Sequence, residues 1–124
     1  LKELVKIYKS EGIRVSIFME TDLKQIEKAA TVGCDRIELY TEYYAVNYLN
    51  NPEKAIEKYV AAGKLAKQLN LGLNAGHDLN LDNLAYFAKN MEGLDEVSIG
   101  HALISDALYL GLQKTIELYK TALK

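Results

Sequence analysis

The chain has 124 residues, 49% apolar and 26% charged, with a formal net charge of −2, the composition of one ordinary globular domain long enough to bury a core. Lys and Glu are interleaved rather than blocked, so no basic stripe for nucleic acid and no polybasic membrane segment is present, and no run approaches the roughly 18 apolar residues of a membrane span. A single cysteine, Cys34, excludes an internal disulfide, and one Cys with two His is too few for an expected structural zinc site.

From Leu1 to about Ser10 the apolar Leu1, Leu4, Val5 and Tyr8 recur at helical spacing, and Glu11-Gly12 stops the run. The segment reads as an amphipathic helix rather than a signal peptide. It starts without Met and already inside a helical pattern, so an amino-terminal portion is expected to be missing, and a reducing cytoplasm is the expected location. Arg14 to Met19 (RVSIFM) is a short, β-branched-rich strand, and Asp22 is placed to cap a helix over LKQIEKAATV that ends near Gly33.

RIELY (Arg36 to Tyr40) predicts a second strand, followed by a polar, tyrosine-rich loop from Thr41 to Asn51. Pro52, the chain's only proline, then opens a long helix from a favourable first-turn position. That helix carries Ile56, Tyr59, Val60, Leu65, Ala66 and Leu69 on one face and ends at Asn70. A third strand is expected at Leu71 to Ala75, a helix at Leu81 to Asn90, a fourth strand at Glu96 to Ile99 and a closing helix from Leu103 to about Leu123.

A leading helix followed by four strand-helix units is the signature of a parallel α/β sheet with right-handed crossovers. Two architectures remain open: half of a TIM (β/α)8 barrel, a full one needing about 250 residues, or an open doubly wound parallel sheet. Either makes residues 1–124 one domain.

The most informative feature is a pair of dipeptides. Gly76-His77 in LGLNAGHDLN and Gly100-His101 in EVSIGHALIS each end a short apolar run and precede a helix-like stretch. A side chain at the carboxyl end of a buried parallel strand points into a shared mouth, and the next helix offers unpaired N–H groups to an anion. A phosphate-handling site with one His per turn is therefore expected.

The segments GIRVSIFMETD, RIELYTEYYA, LGLNAGHDLNLDNL and VSIGHALISDALYLGL, in this order and spacing, resemble the carboxyl-terminal half of the pyridoxine 5'-phosphate synthase family. The resemblance implies strands five to eight of a (β/α)8 barrel. It also implies condensation of 1-deoxy-D-xylulose 5-phosphate with 3-amino-2-oxopropyl phosphate to pyridoxine 5'-phosphate, with release of phosphate and water and with no metal or organic cofactor.

By position, His77 matches the family's proton donor, Gly100 and His101 its phosphate-binding pair, and Glu38 a carboxylate that stabilises transition-state charge. Two positions depart from the family: Asp78 stands where a small residue, often a ligand-contacting Gly, is usual, and Glu42 where a Gly often follows the Thr. Asp78 is retained as a binding candidate through its backbone N–H, its side chain turned away to cap the next helix. The family's other catalytic His, its general-base Glu and its early Asn and Asp-His contacts belong to the first half of the barrel, so the chain alone is expected to be inactive.

Each candidate has a plainer reading. His77 taken alone reads as a loop histidine, and Gly100-His101 as a strand-to-helix turn. Glu38 either faces the barrel interior or pairs with Arg36 or Lys28. Asn74 is a positioning residue or a satisfied turn amide. Tyr40, Tyr43, Tyr44 and Tyr48 form a lid or subunit contact or, as favoured here, pack on their own helix, and Cys34 reads as a small buried hydrophobe. Three functions compete: half of a synthase completed by the missing half-barrel, a self-associating half-barrel scaffold, and a phosphate-binding module without chemistry.

Overall fold

The computed structural model describes all of residues 1–124. The order of elements is α1 (Lys2–Ser10), β1 (Ser16–Met19), α2 (Leu23–Val32), β2 (Arg36–Tyr40), α3 (Glu42–Tyr48), α4 (Pro52–Gln68), β3 (Gly72–Gly76), α5 (Leu84–Asn90), β4 (Leu94–Ser98), α6 (His101–Leu110) and α7 (Leu112–Ala122). No helix is long and apolar enough to cross a membrane.

Strand alternation produces a sheet with two unlike faces. Ile37, Leu39, Leu73 and Ala75 are buried on one side, where Ile17, Met19 and Val97 join them against the helices. The opposite, inner side carries Phe18, Arg36, Glu38, Tyr40, Asn74 and Glu96. The strands are all parallel in the order β1-β2-β3-β4, each pairing with its neighbour in the chain. A doubly wound sheet reverses strand order at a switch point. The absence of any reversal overturns the doubly wound alternative and leaves the barrel-type winding.

The helix signals act as the residue types dictate. The Asp22 carboxylate accepts the Gln25 N–H at 3.0 Å, and Gly33 ends α2 in the left-handed conformation (φ 87°) that a residue with a Cβ resists. Asn51 accepts the Lys54 N–H at 2.9 Å, and Pro52 fills the first turn of α4. Cys34 is buried in the core, as its composition-level reading anticipates, and burial pushes its thiol above the ordinary value.

Several boundaries differ from the sequence expectation. The expected loop after β2 contains the helix α3, held by packing rather than propensity: Tyr44 is fully buried, its ring 4.9 Å from Phe87 and 6.0 Å from Tyr59. The single closing helix is two, broken at Gly111 (φ 80°, ψ 146°). Residues 81–83 stay outside α5 because the Asn80 side chain accepts the N–H groups of Asp82 and Asn83 at 3.0 and 3.1 Å, competing with the helical pattern. β1 begins at Ser16, the Val15 N–H donating instead to the Asp35 carboxylate at 2.8 Å. β3 and β4 are displaced by one and two residues at their starts, to Gly72 and Leu94.

Across the amino-terminal half of the inner face, Arg36 ties three strands together. Its guanidinium donates to Asn74 Oδ1 and Glu96 at 2.9 Å each and lies 3.4 Å from Asp95, while Arg14 reaches Glu96 at 3.1 Å. The Arg36 stem crosses β3 at Gly72, where a Cβ would sit 2.6 Å from Arg36 Cγ.

Tyrosine hydroxyls fasten the segment after β2. Tyr59 donates to the Tyr40 carbonyl at 2.9 Å and accepts the Tyr44 N–H at 3.4 Å, and Tyr44 donates to the Asn83 carbonyl at 2.7 Å. Burial pushes the Tyr59 phenol up to about 12 and raises Tyr44 and Tyr119 as well. Because the folded values lie above that of the unfolded chain, about 10, the neutral phenols favour the fold fully below that pH and this contribution is lost as pH rises through the folded values. Denaturant midpoints measured from pH 8 upward are expected to hold to about pH 10 and then fall, with a shallower fall in Tyr59→Phe; a midpoint independent of pH in this window contradicts the assignment.

Candidate active site

At the carboxyl end of β3 the chain takes two successive left-handed residues, His77 (φ 74°) and Asp78 (φ 56°), a conformation that costs free energy for side chains with a Cβ and persists only where neighbours enforce it. They do so here. The fully buried Thr41 donates both its N–H (2.9 Å) and its hydroxyl (2.7 Å) to the Gly76 carbonyl, and the same hydroxyl lies against the His77 carbonyl. From the other side the His77 N–H donates to the Ser98 carbonyl at 3.3 Å. The Asn83 amide donates to the Asp78 carbonyl at 3.2 Å. The turn is pinned by β2, β4 and the approach to α5 together.

The His77 imidazole lies against two aromatic rings on the inner face. Its centroid is 5.3 Å from those of both Phe18 and Tyr40, which are 5.5 Å from each other. The Glu42 carboxylate beside the Tyr40 hydroxyl holds that phenol above its ordinary value.

His77 also lines a cleft of about 890 Å³, shared with Asp78, Asn80, Ser98, Gly100 and His101 and with Glu42 and Val46 of α3. That volume suits a small-molecule ligand. The floor on the β4 side is the start of α6. No side chain caps it and no acidic residue lies in its first turn, so its leading N–H groups and positive dipole end are free for an anion. A Cβ on Gly100 would meet nothing within 4 Å, which leaves open space above the turn.

The expected residues thus separate into two tiers. His77, Asp78, Gly100 and His101 meet in the cleft. Glu38 lies below it on the inner face, the first of the two positions open to it from sequence. It has no cationic partner, since Arg36 turns to Asp95 and Glu96, and its carboxylate rests over Gly76, where a Cβ would sit 2.5 Å from Oε1. Asn74 is 8% exposed, lies mid-strand and is engaged with Arg36. The Asp78 side chain does not cap the next helix: Asn80 takes the N–H groups there. No group of three or more His, Cys, Asp or Glu side chains converges as metal ligands.

Sequence reasoning missed Phe18, Thr41 and Ser98 as parts of the site. Tyr44 and Tyr48 pack as favoured, but Tyr40 faces His77 instead. The available signal was strand period: Phe18 pairs in register with Glu38, and Tyr40 with Gly76.

Residues 1–124 match the family described as pyridoxal phosphate biosynthesis protein PdxJ. The pyridoxine 5'-phosphate synthase of Parabacteroides distasonis is 63% identical over 123 residues, 99% of this chain and 52% of that protein. The synthase of Bacteroides thetaiotaomicron is 56% identical over 124 residues, 100% of this chain and 52% of that protein, and that of Porphyromonas gingivalis 58% over 123 residues, with 99% and 52% covered. The chain spans about half the length of the curated relatives it matches.

The contact between Glu38 and Gly76 yields a direct test. A methyl group at residue 76 is crowded by the Glu38 carboxylate and, at 3.1 Å, by Ser98 Cβ. Gly76→Ala is expected to cost about 1–3 kcal/mol in chemical denaturation, and less in a Glu38→Ala background. Equal costs in the two backgrounds would show that the carboxylate does not lie there.

Proposed function

Because the chain belongs to the PdxJ family, we propose that it furnishes the proton donor and a phosphate anchor of a pyridoxine 5'-phosphate synthase. The four consecutive parallel units are half of a TIM barrel, and phosphate sites after the last two strands recur in that fold. The observation that carries the reading is the single cleft shared by His77 and the uncapped start of α6.

In this reading the substrates are 1-deoxy-D-xylulose 5-phosphate and 3-amino-2-oxopropyl phosphate. Gly100 and His101 bind a phosphate through backbone N–H groups and the helix dipole, assisted by the His101 ring. The amine condenses with a ketone, forming a carbon-nitrogen bond and releasing water. The unpaired Glu38 carboxylate stabilises the positive charge that develops on that nitrogen. When the bond to a leaving hydroxyl or phosphate breaks, its electron pair goes to oxygen and His77 supplies the proton. Imidazole suits this step because its ordinary pKa, about 6.5, lies close to neutrality. The Asp78 backbone N–H adds a contact, Asn74 keeps the face below in place through Arg36, and the reaction uses no metal or organic cofactor. A reducing cytoplasm is the proposed setting.

The proposal places the remaining catalytic groups on a complementary half-barrel, so the chain alone is inactive. Mixing it with a polypeptide covering the other half of the Parabacteroides distasonis synthase is expected to yield pyridoxine 5'-phosphate where neither part does. His77→Gln is expected to lower the rate of the mixture about 10²–10⁴-fold. A folded mixture that makes no product, or one indifferent to His77, refutes the reading.

A specific observation favours self-association when that half is absent. A monomer of 13.9 kDa is expected to expose about 6,700 Å², whereas the chain exposes 7,840 Å²; the excess matches one side of a stable protein interface. Two copies closing eight strands would cover β1 and β4 at once. Sedimentation of the isolated chain is expected to give twice the chain mass, and a folded monomer across the micromolar range would exclude the pairing.

A further inference from the structure

We propose that Phe18 and Tyr40 are positioning residues that clamp the His77 imidazole in its proton-donating orientation, an inference that rests on the role assigned to His77 above. The two rings arrive on different strands, Phe18 near the end of β1 and Tyr40 as the last residue of β2. Each stands 5.3 Å from the imidazole centroid, Phe18 tilted by 59° and Tyr40 nearly perpendicular at 83°. These are favoured aromatic geometries.

Core formation does not account for Phe18. It remains 53% exposed on the polar side of the sheet, in register with Glu38, while its neighbours Ile17 and Met19 face the helices. What it does touch is Tyr40 and His77. Tyr40 is itself fixed, its carbonyl accepting the buried Tyr59 hydroxyl. The backbone of residue 77 is held by Thr41 and Ser98, which leaves the imidazole two side-chain torsions. The two rings, themselves 5.5 Å apart, form a corner against which the imidazole rests, and that corner limits both. A proton donor confined in this way meets its substrate without a search over rotamers, the condition under which small displacements cost large factors in rate.

The chain contains two histidines, and His101 has no aromatic neighbour among the ring pairs, so it serves as an internal control. In ¹H–¹³C spectra of the chain, the His77 ring signals are expected to be displaced by ring currents and to show cross-relaxation to Phe18 and Tyr40 ring protons. Phe18→Leu and Tyr40→Leu are expected to move these signals toward free-imidazole positions. Phe18→Tyr and Tyr40→Phe retain them, and His101 is unaffected throughout.

In the two-half mixture, each Leu variant is expected to lose kcat about 10- to 100-fold with KM nearly unchanged, while the ring-conserving variants keep it. Free-imidazole signals for His77 overturn the clamp, as does full kcat in the Leu variants or a loss confined to KM. A mixture inactive even with the parental chain refutes the proposed reaction instead, leaving the spectra to decide the clamp.

Discussion

The structure depends on one constraint: β3 carries glycine at both ends of its inner face. Residues 72, 74 and 76 share that face with 36, 38 and 40 of β2 in direct register. At residue 72 the missing side chain leaves room for the Arg36 stem, and at residue 76 for the Glu38 carboxylate. Arg36 thereby reaches Asn74 and Glu96 and draws β2, β3 and β4 together. Its side chain is 19% exposed while those of Asp95 and Glu96 are 43% and 48% exposed, so solvent screens the ionic part of this network much as it does a surface ion pair. Glu38 is left unpaired a short way below the cleft. Two glycines therefore divide the inner face into an amino-terminal half that satisfies its charges internally and a carboxyl-terminal half that keeps them available.

How much of this the sequence discloses depends on whether an element is decided locally. β2 is legible to the residue because alternating RIELY already separates the buried Ile37 and Leu39 from the inner-face Arg36, Glu38 and Tyr40. The Asp22 and Asn51-Pro52 helix starts are legible for the same reason, their caps needing only the next turn. The two Gly-His pairs are legible because the strand and helix flanking each are close in sequence. By contrast, α3 exists because Tyr44 enters a pocket formed by Tyr59 and Phe87, 15 and 43 residues further on. No local pattern in TEYYAVNY encodes that partner. Strand alternation in SIFM sets Phe18 on the face opposite Ile17 and Met19, but nothing local shows that this face meets His77. The role of Thr41 is invisible for a related reason: a threonine after a strand becomes a clamp only when β3 brings Gly76 beside it.

Family membership and strand order together explain why so much apolar surface stays uncovered. Exposed large hydrophobic residues include Leu1, Leu4, Ile7 and Ile13 on and flanking α1, Val46 and Leu49 at α3, and Ile104, Leu108, Tyr109 and Leu112 on α6 and α7. Patches of this kind mark surfaces that are covered in use. β1 and β4 likewise keep one unpaired edge each, and barrels remove edges by closing on themselves. The relatives that the chain matches are about twice as long. The middle of the sheet needs no such help, since β2 and β3 are flanked on both sides and hold the most deeply buried residues.

The cleft brings two acidic side chains and an uncapped helix start together, and in the proposed reading this bears on where an anionic ligand sits. Glu42 and Asp78 line the cleft, and so does the uncapped start of α6 with its free N–H groups. A phosphate near the carboxylates would be repelled at short range, while one at the helix start gains charge-assisted hydrogen bonds that water competes for poorly in a recess. In the proposed reading the two acidic departures from the family pattern therefore leave the anion site in place at the α6 start. On that same proposed reading, a ligand bearing an amine at one end and a phosphate at the other suits this lining, because its amine can face the carboxylates while its phosphate takes the helix start.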